Sequence, residues 1–278
     1  MINHNSASAL RTFLESEKLG MQKKFGQNFL INPAIRQTLV DELGAGSGEE
    51  VWEVGPGLGA MTDLLLKNGN KVKAFEIDTG FIRILKKIFN NNNDFTLIEG
   101  DVMKTWITSF PAPYLLANLP YNIAAALLAD FIEKGCVFSR MVVTVQKEVA
   151  LRMVAKAGSA DYSSFSVLCA SMYKVKPLMT IKSSSFYPQP NVDSMGVLME
   201  ENKPAEPYPK VFYPLVRALF ASRRKTIKNN LTAFLASSAS KLFIESIFSE
   251  NGLTGMERAE TLELDRFLSL ARTLEKMG

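Results

Sequence analysis

The stretch EVGPGLG, from Glu53 to Gly59, constrains the fold of this 278-residue chain more than any other. It follows the apolar-leaning run 51–54 and leads into residues 60–68, whose spacing predicts a helix. A strand that enters a helix through a glycine-rich turn is typical of sheets in which strands and helices alternate, and it brings the backbone and the helix N-terminus close to a ligand. We therefore expect an α/β fold with a binding site at this turn.

Strand and helix patterns continue to alternate beyond this turn. Strands are expected at 51–54, 72–77, 95–99, 113–118 and 140–146, and again at 175–181 and 192–199. Helices are expected at 60–68, 79–89 and 123–134, with Gly69 and Gly135 as stops. Regular alternation predicts a mostly parallel, doubly wound sheet whose ligands bind beyond the carboxyl ends of the strands.

A change in composition divides the chain into two predicted domains. The stretch ENKPAEPYP at 201–209 is polar and proline-rich, which indicates a linker, and the residues after it have helical periodicity. We expect an α/β domain at 1–203, whose residues 1–33 form an N-terminal lid segment, followed by a small all-α domain at 204–278.

The residue counts exclude several kinds of chemistry. His4 is the single histidine and lies in a terminus that we expect to be loosely ordered, which argues against imidazole acid–base catalysis and His-ligated metals. Cys136 and Cys169 have no close partners, so buried thiols are expected rather than a disulfide or a zinc site. No apolar run approaches the roughly 20 residues of a membrane helix, and a signal-peptide core is absent. We expect a cytoplasmic monomer that uses no metal and binds no membrane.

Two carboxylates stand at successive predicted strand ends. Glu76, in the run FEID near the end of its predicted strand, lies about 20 residues after Gly55. From this place a carboxylate accepts both hydroxyls of a ribose, in NAD and S-adenosylmethionine alike. The glycine spacing differs from the GxGxxG of dinucleotide-binding turns. Asp101 ends the next strand, where it can accept the N6 amine of an adenine while Val102 and Met103 pack on the ring. The alternative is an ordinary tight turn with exposed acids.

The run NLPY, from Asn118 to Tyr121, distinguishes amino-group methylation from hydride transfer. The exocyclic amine of adenine is a poor nucleophile because its lone pair is delocalised into the ring. The Asn118 side-chain oxygen and the carbonyl of Leu119 or Pro120 would accept its two N–H bonds and direct the lone pair at a sulfonium methyl group. Tyr121 would stack on the base, which must be flipped out or single-stranded. A strand-terminating proline turn explains these four residues equally well.

Two further stretches each have two interpretations. Phe186, in SFYPQPNV, supplies either the second face of an aromatic sandwich or an anchor for the core. Gln27 and Asn28, in KKFGQNFLINP, belong either to a capped loop or to a lid whose amides contact a ligand. The residues alone favour the capped loop.

Basic residues cluster in FASRRKTIKNNL, on a predicted helix of the second domain. Arg223, Arg224, Lys225 and Lys228 stand there with few acids nearby, as expected for contacts with a phosphate backbone. A solvated helix face is the usual explanation of such a run. The adenine-binding pocket expected in the same chain favours RNA.

The motifs, taken together and in order, resemble those of the KsgA-type ribosomal RNA adenine N6,N6-dimethyltransferases. They are KKFGQNFL, EVGPGLG, FEID, EGDVMK, NLPYNI, QKEVA, SFYPQPNVDS and FASRRKTIKNNL, and they extend over nearly the whole chain. The resemblance implies a Rossmann-like domain that uses S-adenosylmethionine, followed by a small helical domain. It also implies N6,N6-dimethylation of two adjacent adenosines near the 3′ end of 16S rRNA, with the immature 30S ribosomal subunit as partner and a link to its biogenesis.

The site residues of the family carry over position by position. The implied cofactor contacts are Gln27, Asn28, Leu30, Gly55, Glu76, Asp101 and Asn118. The implied base-positioning residues are Asn118, Leu119, Pro120 and Tyr121, with Phe186 as the stacking partner. The resemblance thereby favours the lid interpretation of Gln27 and Asn28. Departures from the family pattern at 124–126 and 221–222 bear only on fine contacts with RNA.

Three other functions compete with this one. A resistance-conferring methyltransferase of large-subunit rRNA shares the fold and the pocket, but the forms GQNFL, NLPYNI and VDS favour the small-subunit enzyme. A noncatalytic RNA-associated factor is disfavoured because every expected pocket residue is present, although a second role in subunit assembly stays open. A Rossmann dehydrogenase is disfavoured by the glycine spacing and by NLPY.

Overall fold

The computed structural model describes residues 2–20, 27–109, 111–235 and 240–277. The chain forms two compact units, one made of Met1–Ala150 and Val175–Glu201, the other of Leu151–Lys174 and Asn202–Gly278. The sequence-based boundary at 203/204 placed residues 151–174 in the first domain, whereas in the structure they belong to the second unit. The helix in this segment packs against helices that follow the boundary, a long-range contact that no local pattern marks.

Seven of the nine strands in the described residues form one sheet. The nine strands are β1 (Phe29–Leu30), β2 (Glu50–Val54), β3 (Lys71–Glu76), β4 (Phe95–Glu99), β5 (Tyr114–Asn118), β6 (Arg140–Gln146), β7 (Tyr173–Ile181), β8 (Phe186–Tyr187) and β9 (Ser194–Glu201). The sheet has the order β4-β3-β2-β5-β6-β9-β7, in which β2 to β6 are parallel to one another and β9 is antiparallel to β6. The predicted mostly parallel sheet is confirmed.

Short local signals set the ends of several helices. The helices are α1 (Ala7–Ser16), α2 (Pro33–Leu43), α3 (Ala60–Lys67), α4 (Thr79–Phe89), α5 (Val102–Thr105), α6 (Ala124–Glu133), α7 (Lys147–Val154), α8 (Ser164–Met172), α9 (Phe212–Leu219), α10 (Ile227–Leu235), α11 (Lys241–Glu250) and α12 (Leu264–Met277). Asn32 caps α2 by accepting a backbone N–H of its first turn, Pro33 follows, and Gly44 ends the helix in a left-handed conformation.

Both faces of the sheet are buried, as a doubly wound arrangement requires. On one face Val51 packs in a cluster with Leu39 and Leu43 of α2. On the other face the ring of Trp52 lies 5.4 Å from that of Phe138. Successive side chains of a strand point to opposite faces, and here both faces are buried in apolar layers. Polar side chains that bind a ligand therefore lie mainly at the strand ends.

A separate two-stranded ladder joins the N-terminal segment to the loop before β9. The strands β1 and β8 are antiparallel, with Phe29 opposite Tyr187 and Leu30 opposite Phe186. The two segments are distant in sequence, and neither has a pattern from which this pairing could be predicted.

The second unit is mainly helical. The basic run was expected on a helix, but residues 220–226 form turns between α9 and α10, and only Lys228 of the four basic candidates lies on α10. The run contains neither proline nor glycine, so its sequence gives no sign of the interruption. Within the described residues, no helix has both the length and the apolar character needed to cross a membrane.

Candidate active site

A cavity of about 270 Å³ lies at the carboxyl ends of β2, β3 and β5. The predicted site residues that line it are Gln27, Asn28, Leu30, Gly55, Glu76, Asp101, Val102, Asn118, Leu119, Pro120 and Tyr121. Parallel strands end at the same edge of a sheet, and this is why residues so far apart in sequence come together. Of the predicted base-positioning residues, Phe186 is absent from the cavity wall.

The glycine turn between β2 and α3 places backbone against the cavity. Gly57 has a φ of +58°, in the left-handed region, and a Cβ built on it would lie 3.0 Å from Cε1 of Phe29. Its backbone N–H donates to Oε2 of Glu76 over 3.2 Å. Glycine is therefore required for both conformation and space, and the turn is joined directly to the predicted ribose acceptor.

Glu76 is only 5% exposed, and backbone donors hold its carboxylate. Its Oε1 accepts the N–H groups of Ile77 at 2.9 Å and Asp78 at 2.8 Å. Burial nevertheless raises the pKa of Glu76 to about 7, because desolvation outweighs the backbone hydrogen bonds that lower it. This carboxylate is fixed in the cavity wall, where a ligand can bring hydroxyl donors to it.

Glu53 is a second buried carboxyl group, to which the sequence analysis gave no role. Its Oε2 accepts the hydroxyl of Thr62 over 2.6 Å, and its Oε1 has no hydrogen-bond partner among the described residues. Burial raises the pKa of Glu53 to about 7, and the neighbouring charge of Glu76 adds to this shift. The strand that leads into the glycine turn therefore carries a partly protonated carboxyl group at neutral pH.

Asp101 follows β4 and caps the short helix α5. Its Oδ1 accepts the backbone N–H of Met103 over 3.0 Å, which fixes the carboxylate at the edge of the cavity. Val102, which is buried, lies beside it in the cavity wall. The adenine contact expected of these two residues stays a prediction.

Asn118 is held by a hydrogen bond to Asn28, the residue before β1. Its Nδ2 donates to the backbone carbonyl of Asn28 over 2.8 Å, which leaves Oδ1 as the side-chain acceptor for a ligand. The carbonyl of Pro120 already accepts two N–H groups at the start of α6, at 3.1 Å each. Of the two carbonyls considered as the second acceptor, the structure therefore favours that of Leu119.

Tyr121 lines the cavity with its hydroxyl anchored. The Tyr121 hydroxyl lies 2.7 Å from Oγ of Ser194, which is buried at the first position of β9. Burial raises the pKa of Tyr121, so the phenol is neutral. Ser194 was not among the predicted site residues; the motif ending VDS was the available signal for it.

The structure does not place Phe186 in the cavity. Its ring is 3% exposed and packs in a core cluster with Leu39, Ile181 and Leu198. The pairing of β8 with β1 puts the side chain in this core. The core-anchor interpretation therefore describes the structure, and the predicted aromatic sandwich with Tyr121 is not formed.

Residues near the N-terminus form part of the cavity wall. Gln27 lines the cavity and donates from Nε2 to Oδ2 of Asp78 over 2.9 Å, whereas residues 21–26, at the start of the motif KKFGQNFL, lie outside the described residues. His4 also lines the cavity, so the expectation of a loosely ordered terminus was wrong. Burial, followed by the charge of Arg36, lowers the pKa of His4 to about 4 and keeps the imidazole neutral. Arg36 was missed because a charged residue in a helix is expected to face water.

The four basic residues of the second unit differ in their contacts. Arg223 and Lys228 each form an ion pair with a glutamate of the same unit. Arg224 and Lys225 are exposed on the turn between α9 and α10. The basic run therefore contains two paired cations and two cations that face solvent.

Comparison with known proteins places the chain in a family. A family model described as Ribosomal RNA adenine dimethylase matches residues 19–272. The chain belongs to this family. It is 48% identical to Ribosomal RNA small subunit methyltransferase A of Treponema denticola, over 97% of this chain and 94% of that protein. The same name is carried by a Geobacillus protein that is 35% identical over 95% of each chain.

Solved structures show the same fold for this ribosomal RNA adenine dimethylase. A dimethyladenosine transferase from Plasmodium falciparum has a TM-score of 0.74 and 26% identity, and the match covers 88% of this chain and 96% of the other. The 23S rRNA methyltransferase ErmE has a TM-score of 0.61 at 19% identity, over 87% and 97% of the two chains. The predicted Rossmann-like methyltransferase fold with a helical C-terminal part is confirmed.

Proposed function

We propose that this ribosomal RNA adenine dimethylase methylates N6 of two adjacent adenosines near the 3′ end of 16S rRNA, with S-adenosylmethionine as cofactor. The observation that carries the proposal is the fixed amide of Asn118, held by Asn28 at the end of β5 in the same cavity as Glu76. One cavity thus combines an acceptor suited to an amine with an acceptor suited to a ribose.

The cavity residues fit S-adenosylmethionine. Gly57 allows the glycine turn to pack closely on Phe29 in the cavity wall, Glu76 offers its carboxylate to the ribose hydroxyls, and Asp101 lies beside the apolar Val102 for the cofactor's adenine. The remaining residues assigned to the cofactor are Gln27, Asn28, Leu30, Gly55 and Asn118. When bound, the cofactor supplies a sulfonium methyl group for a direct in-line displacement.

Asn118 and Leu119 prepare the target amine. The Oδ1 atom of Asn118 and the carbonyl of Leu119 accept its two N–H bonds. Pro120 follows at the turn into α6, where its own carbonyl is already occupied by two N–H groups. Two acceptors on one nitrogen favour a more tetrahedral geometry and direct its lone pair out of the ring plane. Positioning and fixed dipoles therefore supply the catalysis, and no imidazole base is required.

Tyr121 supplies the stacking surface for an adenine that has left its helix. A base enters such a cavity only when it is flipped out or single-stranded, and stacking on an aromatic ring offsets part of the cost of unstacking. Arg224 and Lys225 are assigned the first contacts with the RNA backbone, because Arg223 and Lys228 are already paired. The proposed substrate is 16S rRNA within the immature 30S subunit.

The test incubates the protein and labelled S-adenosylmethionine with unmethylated small subunits, large subunits and naked rRNA, followed by nucleoside analysis. Dimethyladenosine is expected on small-subunit RNA only. Product on large-subunit RNA would move the assignment to the activity for which ErmE is named. Cofactor binding without product on any substrate would favour a noncatalytic role in subunit assembly.

A further inference from the structure

Arg36, on α2, is a buried arginine in the wall of the cavity. The residue is 5% exposed. Its Nη1 donates to the backbone carbonyls of Leu30 and His4, the latter over 3.3 Å, and its Nη2 donates to Oδ1 of Asn5. The guanidinium therefore fastens the N-terminal segment, residues 2–6, and strand β1 to α2, and it brings His4 into the cavity wall.

The charge of Arg36 has no counter-charge among the described residues. All three of its hydrogen-bond acceptors are neutral oxygens, and Nε is buried with no partner among those residues. Burial alone lowers the pKa of Arg36, and no neighbouring carboxylate opposes that effect. An uncompensated buried cation is costly in a protein interior, so a cation of this kind at a ligand cavity indicates that the ligand carries an anion.

We propose that Arg36 provides the positive charge that draws the carboxylate of the cofactor's amino-acid part into the cavity. The inference rests on the proposed function, because S-adenosylmethionine is the ligand that brings an α-amino-acid carboxylate. The ribose acceptor Glu76 and the adenine-side residue Asp101 are both acidic, so neither of them suits that carboxylate. Arg36 lies instead with His4 and Leu30 on the wall formed by the N-terminal segment and β1.

Two ligands that differ in the amino-acid part separate this role from a structural one. S-adenosylhomocysteine contains the carboxylate, whereas 5′-methylthioadenosine has the same nucleoside without it. Titration calorimetry gives the Kd of each ligand for the wild type, Arg36→Met and Arg11→Met. Arg11 is an exposed arginine of α1, and Arg11→Met is the matched control.

We expect Arg36→Met to raise the Kd for S-adenosylhomocysteine roughly tenfold or more and to leave the Kd for 5′-methylthioadenosine unchanged. Equal weakening of both ligands, or no weakening of either, overturns the assignment. A wild type that binds neither ligand would contradict the proposed function itself rather than the role of Arg36.

A second variant tests the charge without removing the arginine, in case Arg36→Met does not fold. Asn5→Asp keeps the oxygen that accepts from Arg36 and adds the missing negative charge at an exposed residue. Asn5→Asp should weaken the binding of S-adenosylhomocysteine but not that of 5′-methylthioadenosine. Asn3→Asp, which adds the same charge to an exposed side chain nearby, should have a much smaller effect on either Kd. Tighter or unchanged binding of S-adenosylhomocysteine by Asn5→Asp overturns the assignment.

Discussion

The side-chain amide of Asn118 and the backbone carbonyl of Asn28 are joined by a 2.8 Å hydrogen bond between residues 90 positions apart. Because Nδ2 donates in this bond, the amide cannot rotate to present a donor to the cavity without losing it. The neighbour of Asn28, Phe29, packs close to Gly57 of the glycine turn. Residues 28–29 therefore contact both Asn118, which is assigned to the adenine amine, and the glycine turn, which is assigned to the cofactor.

Replacement of Asn118 tests this arrangement. Asn118→Ala should lower kcat by on the order of 10²-fold or more while RNA binding stays largely intact, because it removes a preorganised acceptor. Asn118→Asp should be similarly impaired, since a carboxylate cannot donate to the carbonyl of Asn28. Single-turnover methylation and RNA titration measure the two effects. Normal turnover in either variant would refute the assigned role.

The bond between Tyr121 and Ser194 predicts coupled rather than additive effects. Tyr121→Phe and Ser194→Ala each remove it but keep the ring, so each should lower kcat modestly, and the double variant should be little worse than either one. Tyr121→Ala should be far more damaging because the stacking surface is lost. Additive losses in the double variant would show that Ser194 does not act through Tyr121.

The crowding at Gly57 predicts that Gly57→Ala lowers the free energy of unfolding by more than backbone strain alone would. Gly57→Ala introduces a Cβ at 3.0 Å from Phe29, whereas Gly158→Ala places one in open space at a comparable φ of +83°. Both substitutions should cost roughly 1 kcal/mol in the free energy of unfolding for the left-handed conformation. Only Gly57→Ala should cost more than this and weaken cofactor binding. Equal unfolding midpoints and unchanged cofactor affinity would contradict the steric argument.

The raised pKa values of Glu53 and Glu76, both about 7 against an ordinary glutamate value of 4.5, predict how stability depends on pH. Between these values the folded state binds more protons than the unfolded state, so the free energy of unfolding falls as pH rises through this window. Glu53→Gln keeps an acceptor for Thr62 and carries no charge. The free energy of unfolding of Glu53→Gln should therefore exceed that of the wild type at pH 8, by up to roughly 3 kcal/mol, and equal it near pH 5.

Urea unfolding of the ligand-free protein at pH 5 and pH 8 measures this difference. Glu49→Gln, at an exposed glutamate, is the control and should follow the wild type at both values. Since Glu76 is untouched, part of the pH dependence should survive in Glu53→Gln. A variant that gains no stability at pH 8 would contradict a raised pKa at Glu53.

The split of the basic run predicts unequal roles in RNA binding. The double variant Arg224→Gln/Lys225→Gln should weaken RNA binding and reduce the slope of log K against log salt by about 1.5, as expected when two phosphate contacts are lost. Arg223→Gln/Lys228→Gln should change the slope less, because both cations are already paired. The exposed Arg11 provides a control substitution. An unchanged slope in the first variant would place the RNA-binding surface elsewhere.

Much of the sheet and of the cavity was predictable because the signals are local. The strands 95–99 and 140–146 have the bounds that their apolar runs and flanking residues predict. The glycine turn, Glu76, Asp101 and Asn118 follow from their places at strand ends, because parallel strands present those ends at one edge.

The features that sequence patterns missed depend on contacts between distant segments. Phe186 has the same neighbours in sequence whether its ring enters the cavity or the core, and the β1–β8 pairing decides between them. Arg36 is a charged residue on a helix, and only the carbonyls of His4 and Leu30 explain its burial. Local periodicity contains no information about either partner.

The ladder between β1 and β8 has a thermodynamic consequence for the affinities of cofactor and RNA. Strand β1 directly follows Asn28, which is assigned to the cofactor. Strand β8 precedes the loop that ends at Ser194, the partner of Tyr121. A ligand that restrains one strand reduces the conformational entropy still to be lost when the other is restrained. Cofactor and RNA should therefore bind with positive cooperativity, and by reciprocity each should tighten the other by the same factor.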